Sequence, residues 1–136
     1  MTYSLSFEIL KHYDAGKPGI TLPTTLQVGE SFVSFEAKLD IGSSFCIFER
    51  FHGELLGLDI EQGHRQYIGT AVGGFITYGH QVTLSVCDFE FDSTVFFAAE
   101  ENIKRNVLGR HGWLNKIRLG LVDYDGLLYL SSYDGE

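Results

Sequence analysis

At 136 residues the chain fits one domain, long enough to bury a core and too short for two lobes, and 44% hydrophobic residues with 11 phenylalanines exclude a disordered polymer. The formal net charge of −8, from 10 basic against 18 acidic side chains, with no basic run longer than Lys104-Arg105, excludes a phosphate backbone as the expected partner, so no nucleic acid is anticipated. No stretch approaches about 18 consecutive apolar residues and the opening MTYSLSFEILKHYD lacks the basic-then-apolar layout of a secretory leader, so no membrane partner is expected and the cytoplasm is the expected compartment.

In chain order, the apolar residues recur with period two almost everywhere, which is the signature of half-buried strands. Leu5, Phe7 and Ile9 alternate with polar neighbours and predict a first strand. Turns follow at Gly16–Gly19, around Pro18, and at Val28-Gly29-Glu30. Val33, Phe35, Ala37 and Leu39 make a strand that ends on Asp40; the chain then turns through Gly42, Ser43 and Ser44 before a new apolar run. Glu49–Gly57, ERFHGELLG, reads as one short helix.

The stretch YIGTAVGGFITYG, Tyr67–Gly79, lacks the Gly-Lys-Ser/Thr of a phosphate loop and reads as a β-hairpin with Gly73-Gly74 near its tip. Val82, Leu84 and Val86, then Thr94, Phe96 and Ala98, predict two further strands. Arg110–Ile117 places Trp113, Leu114 and Ile117 on one helical face, which predicts a short C-terminal helix. Asp123-Tyr124-Asp125-Gly126 is a hairpin turn, and the strand after it, in LLYLSSY, is expected to leave an open edge that needs a partner. The class is mainly β, in a single domain spanning 1–136.

Among the polar residues, Cys46 and Cys87 sit in separate apolar runs without metal-like spacing and read as reduced core cysteines. His12, His52, His64, His80 and His111 show no HxxxH or HExxH pairing, so no metal is expected. Asp123 and Asp125 read as turn-formers. An Asp before Gly at a strand end is commonly a turn residue too, because its carboxylate accepts local backbone N–H groups. For Asp40 the alternative is catalysis, and an aspartyl dyad needs two carboxylates sharing a proton. The chain holds one D-x-G loop of this kind, so a dyad requires two copies.

Taken together, Asp40-Ile41-Gly42-Ser43-Ser44, the glycine-rich hairpin ending in GGFI at Gly73–Ile76, and VLGR at Val107–Arg110 resemble the retropepsin-like, or retroviral-type, aspartic protease domain. The likeness runs in order from about Leu26 to Leu130. It implies a closed β-barrel protomer that forms a symmetric homodimer, acts on a peptide or protein substrate and needs no cofactor. By the resemblance Asp40 is the catalytic carboxylate and Gly42 supplies an N–H that holds it. Ser43 and Ser44 line the floor of the cleft, while Val72, Gly73 and Gly74 form the tip of a flap over substrate. The apolar-apolar-Gly segment crosses behind the catalytic loop and supports it.

Two positions depart from the pattern. Ile41 stands where the family has Thr or Ser, whose hydroxyl bonds across the dimer, and Arg110 finds Ser44 and Phe45 where the family offers an acid. The sequence therefore also admits a retropepsin-fold binding or assembly module with impaired catalysis. A third reading is an unrelated small barrel whose aromatic residues fill its core or bind an apolar ligand.

Overall fold

A computed structural model describes residues 1–134. Its strands in chain order are β1 (Ile9–His12), β2 (Thr21–Val28), β3 (Ser31–Leu39), β4 (Ile47–Phe48), β5 (His64–Thr70), β6 (Gly73–Val86), β7 (Phe89–Ala98), β8 (Val107–Leu108), β9 (Ile117–Val122) and β10 (Leu127–Ser132). The helix α1 (Arg50–Leu55) lies where the period changes from two to helical spacing. The class is mainly β, as composition and periodicity predict.

The strands form two sheets. In the larger, the order is β2-β3-β8-β4-β7-β6-β5, and β2 pairs again with β6 through Thr24–Gln27 against Val86–Thr83. Short turns set the registers of its antiparallel pairs: Val28 faces Ser31, Thr70 faces Gly73 and Val86 faces Phe89. The alternating residues of these strands point into one core, with Leu26, Leu84, Val95, Phe97 and Leu108 fully shielded from water. Burial of this apolar area, worth roughly 25 cal/mol per Å², is the main favourable term that holds the strands together. In the smaller sheet, β10 lies between β1 and β9, all antiparallel.

The structure corrects three sequence-based expectations. The first strand begins at Ile9 and not near Leu5: Glu8 N–H bonds to Leu130 O at 3.0 Å, while Leu5 remains 69% exposed. The LLYLSSY strand, β10, leaves no open edge, because it pairs on both sides; the open edges of this sheet belong to β1 and β9. The expected C-terminal helix is a single 3-10 turn at Leu114–Lys116. Its residues do carry an apolar face, with Trp113 and Ile117 buried. A helix does not form because Gly112 lies at φ +103°; just before it, Arg110 and His111 donate their N–H groups to Ser43 O and Ser44 O. Those donors are committed to the Asp40 turn, and the positive φ is incompatible with a continuing right-handed helix.

The cysteines are free, with Cys46 in the core and Cys87 in the turn between β6 and β7, half-buried at φ 50°.

Candidate active site

The site is built on the turn that follows β3. Asp40 N–H donates to Leu108 O at 3.1 Å, and Asp40 O accepts Ser43 N–H at 3.1 Å. The side chain turns back on its own loop, so that Oδ1 accepts Gly42 N–H at 3.1 Å. Oδ2 takes no hydrogen bond among the described residues. Gly42 thus stands where the sequence places it, as a backbone donor to the carboxylate. Ser43 Oγ donates to Phe45 O at 2.7 Å, which closes the turn, while Ser44 is exposed. Ile41, at the outer corner, is 56% exposed.

β8 backs this turn. It lies between the two strands that flank Asp40, parallel to β3 through Lys38–Leu39 and antiparallel to β4 through Ile47. The fit is close enough to demand glycine at the next position: a Cβ on Gly109 would lie 2.2 Å from Phe45 O and 2.8 Å from Ser43 O. Cys46 Sγ accepts Gly109 N–H at 3.4 Å, and burial pushes its thiol up to about 12. That cysteine is a packed, protonated brace and not a nucleophile.

A second brace was not evident from the sequence. Asn106 Nδ2 donates to Glu49 Oε2 at 2.5 Å, its Oδ1 accepts Glu49 N–H at 3.1 Å, and its backbone O accepts Lys38 N–H at 2.9 Å. One residue therefore ties the entry of β8 to β3 and to the chain after β4. No local pattern marks such a residue, because its partners lie far away in sequence.

Asp40, Gly42, Ser43 and Ser44 line one wall of a cavity of about 420 Å³, together with Phe45 and Ile47. The opposite wall is the first strand of the hairpin, Tyr67–Thr70, and Arg105 closes one side. Val72, Gly73 and Gly74 lie farther along. Val72 is 98% exposed in the turn, Gly73 begins β6 at φ +127°, and Val72 and Gly74 border a neighbouring cavity of about 320 Å³ with Phe75 and Arg105. The structure therefore brings the four loop residues together in one cavity, whereas Val72 and Gly74 border the neighbouring one. Period two could not have flagged the wall residues, since Tyr67, Ile68, Gly69 and Thr70 are consecutive along β5 and both faces of the strand contribute.

The five histidines do not gather here. His80 Nε2 sits 2.9 Å from Ile60 O, and His52 stacks on Phe35 with ring centroids 3.9 Å apart. Arg110 is exposed and anchored through its backbone N–H to Ser43 O. A roomier cavity of about 530 Å³ lies elsewhere, between the β2–β3 and β6–β7 hairpins, where Glu36, Asp88 and Cys87 meet. Burial raises the Cys87 pKa, and neither carboxylate is held by a hydrogen bond among the described residues, so its lining lacks the fixed acid that Asp40 provides.

No protein-family model and no curated protein matches the chain. Solved structures do. A retropepsin-like aspartic protease from Rickettsia conorii superposes with a TM-score of 0.62 at 16% identity, over 96% of this chain and 100% of that one. The EIAV protease, solved in complex with the inhibitor HBY-793, gives a TM-score of 0.55 at 20% identity, over 72% of this chain and 86% of that one. The fold is thus retropepsin-like, in agreement with the resemblance carried by the Asp40 loop, the hairpin and VLGR.

Proposed function

We propose that the chain is an aspartic endopeptidase of retropepsin type, whose active site assembles when two copies bring their Asp40 loops together. The observation that carries this reading is the Gly42 N–H to Asp40 Oδ1 bond in a turn braced by β8, facing a hairpin across a peptide-sized cleft. A turn-forming Asp needs its local bond; it does not need a dedicated backing strand and an opposing wall.

In this reading the protomer is a closed barrel, with the β2–β6 ladder joining β2, at one end of the larger sheet, to the strand next to the other end. Dimerisation is favoured by the exposed Ile41 and by the open edges of β1 and β9, where Leu10, Leu121 and Val122 are partly uncovered. Two Asp40 carboxyls at close range cannot both ionise readily, so one stays protonated and polarises the scissile carbonyl. The other acts as general base on a water between them. Gly42 holds each ionised oxygen, Ser43 and Ser44 form the cleft floor, and Val72, Gly73 and Gly74 close over the peptide as a flap. Closure excludes bulk water and strengthens the charges inside. No cofactor is needed, and the cytoplasm is the proposed compartment.

Ile41 favours a second reading, a binding or assembly module of the same fold. An isoleucine cannot make the cross-dimer hydroxyl bond, and a buried polar partner left unsatisfied loses about 1–3 kcal/mol. One experiment separates the two: digestion of a broad peptide library between about pH 3 and 7 by wild type, Asp40→Asn and Ile41→Thr. Cleavage by wild type and Ile41→Thr, lost in Asp40→Asn, supports the peptidase. Cleavage by Ile41→Thr alone supports the impaired module, and silence from all three contradicts both the dyad and its repair.

A further inference from the structure

Arg105 is a cation without an obvious structural task. Its guanidinium sits 5.3 Å from the centroid of the Phe75 ring, near the tip of the hairpin, and its side chain borders both the Asp40 cavity and the cavity beside Val72. It forms no ion pair among the described residues, whereas its neighbour Lys104 lies 3.7 Å from Glu49 and Arg50 pairs with Glu54 and Glu61. Of the ten cations only Arg50 and Lys104 make an ion pair among the described residues, so what sets Arg105 apart is its place, bordering both cavities on the same side chain.

The surroundings explain how it is held there. The contact with Phe75 draws the guanidinium to the ring without consuming its N–H donors, since the attraction runs through the ring face. The donors are left to a carboxylate, which accepts two of them in parallel. Arg105 is the only cation among the residues lining the Asp40 cavity, where Asp40 is the one anion and Ser44, Thr70 and Tyr67 are neutral; the neighbouring cavity adds Lys104, which is drawn to Glu49 at 3.7 Å.

We propose that Arg105 is a specificity-determining residue, which selects extended peptides carrying an acidic side chain at the position that lies between the two cavities. This rests on the peptide-binding cleft proposed above, but not on its catalytic competence. Substrate preference would then run against the overall acidity of the protein: the approach of an acidic peptide is opposed by the net charge, and only the local guanidinium rewards it.

The test reads binding and not turnover, so that it separates from the cleavage question. Asp40→Asn protein is offered a library of extended octapeptides in which each position in turn carries Glu, Gln or Lys and the others are mixed, at about pH 6, where free Glu is ionised. Retained peptides are counted by mass spectrometry, with Arg105→Gln and Arg105→Glu made in the same background. At one position Glu is expected to be enriched over Gln by about fivefold, the upper range for a solvent-facing charge pair. Arg105→Gln should abolish that enrichment, and Arg105→Glu should transfer it to Lys at the same position. A role for Arg105 in merely packing Phe75 would lower stability and leave the charge preference unmoved.

Peptide retained with equal preference by all three proteins overturns the proposal while leaving the peptidase reading intact. Charge selection without cleavage by the wild type upholds it and rejects the peptidase. Retention of no peptide at all overturns it, since the cleft then binds none.

Discussion

The Asp40 turn and the Tyr67–Gly79 hairpin face each other across one cavity and are built on opposite plans. The turn is held from behind: Asp40, Arg110 and His111 each commit a backbone N–H to it or to β8, and Gly109 fills a gap that admits no side chain. The hairpin is held along its own ladder and, at its base, by Ala99 N–H on Ile76 O and by β7 against Thr77–Gly79, while its tip ends in an exposed valine. The two glycines at the heart of each region show the difference. At Gly109 a Cβ would strike backbone atoms, whereas at Gly73 nothing lies within 4 Å and only the φ of +127° resists a side chain. Rigidity in the first region comes from packing; in the second, the Gly73 corner has backbone preference alone, and packing resumes at Gly74, where a Cβ would strike Tyr67 and Ile68 O. The proposed peptidase would use that division, a fixed acid beside a hairpin whose tip is free to move.

Replacement of both glycines by alanine should break the comparison most visibly. Gly109→Ala should destabilise the fold by about 3 kcal/mol, at the upper end for overpacking, because backbone must move. Gly73→Ala should lose about 1–2 kcal/mol, felt at the tip. Urea denaturation of both variants measures this, and equal losses would erase the distinction between the regions. Native-state hydrogen exchange sharpens it further: amides of Asp40, Arg110 and His111 should exchange slowly, and those of Ala71–Gly74 fastest among strand-linked residues. Slow exchange at the tip would mark the hairpin as a packed element and not a cover.

Asn106→Ala should have a smaller effect, about 1–2 kcal/mol, since it removes two side-chain bonds to Glu49 while leaving the β8 ladder in place. Asn106→Ala combined with Glu49→Ala should lose less than the sum of the single changes, and strict additivity in a double-mutant cycle would show that the brace does not act as a pair.

The smallest expected effect depends on pH. Glu8 accepts bonds from Ser132 N–H, Ser131 Oγ and Ser132 Oγ, and these hold its pKa below the ordinary carboxylate value, the backbone bond contributing most. A depressed folded pKa contributes stability above the unfolded pKa, and that stability is lost as pH falls through the folded pKa. The stability difference between wild type and Glu8→Gln should therefore be present at neutral pH and shrink in acid. Thermal melts across the acid range test it, and a difference that grows on acidification would show the sign to be wrong.

Much of the fold was legible in the sequence because strands of period two and turns rich in glycine are local signals. The Asp40 turn was legible for the same reason, since its Gly42 donor is a near neighbour, whereas VLGR was legible only as a short pattern carried by the resemblance, its partners Lys38–Leu39 and Ile47 lying far away in sequence. What escaped reading depends on pairing across the chain. Arg110–Ile117 has a helical face, yet its first N–H groups are spent on Ser43 and Ser44, more than sixty residues away (110 minus 43 is 67). Leu127–Tyr133 looks like an edge strand until β1 arrives from the other end of the chain. Arg105 and Asn106 carry no motif at all, and their roles come from where β8 enters the sheet.

The central claim is that two Asp40 side chains act together, and subunit mixing tests it most directly. Wild-type and Asp40→Asn chains are unfolded together, refolded in varying ratio at constant total concentration, and assayed for peptide cleavage. A shared dyad predicts activity that falls as the square of the wild-type fraction, to about one quarter in an equal mixture, because a dimer with one Asn is inactive. A linear fall, with each chain working alone, or cleavage that persists in pure Asp40→Asn, would contradict the account.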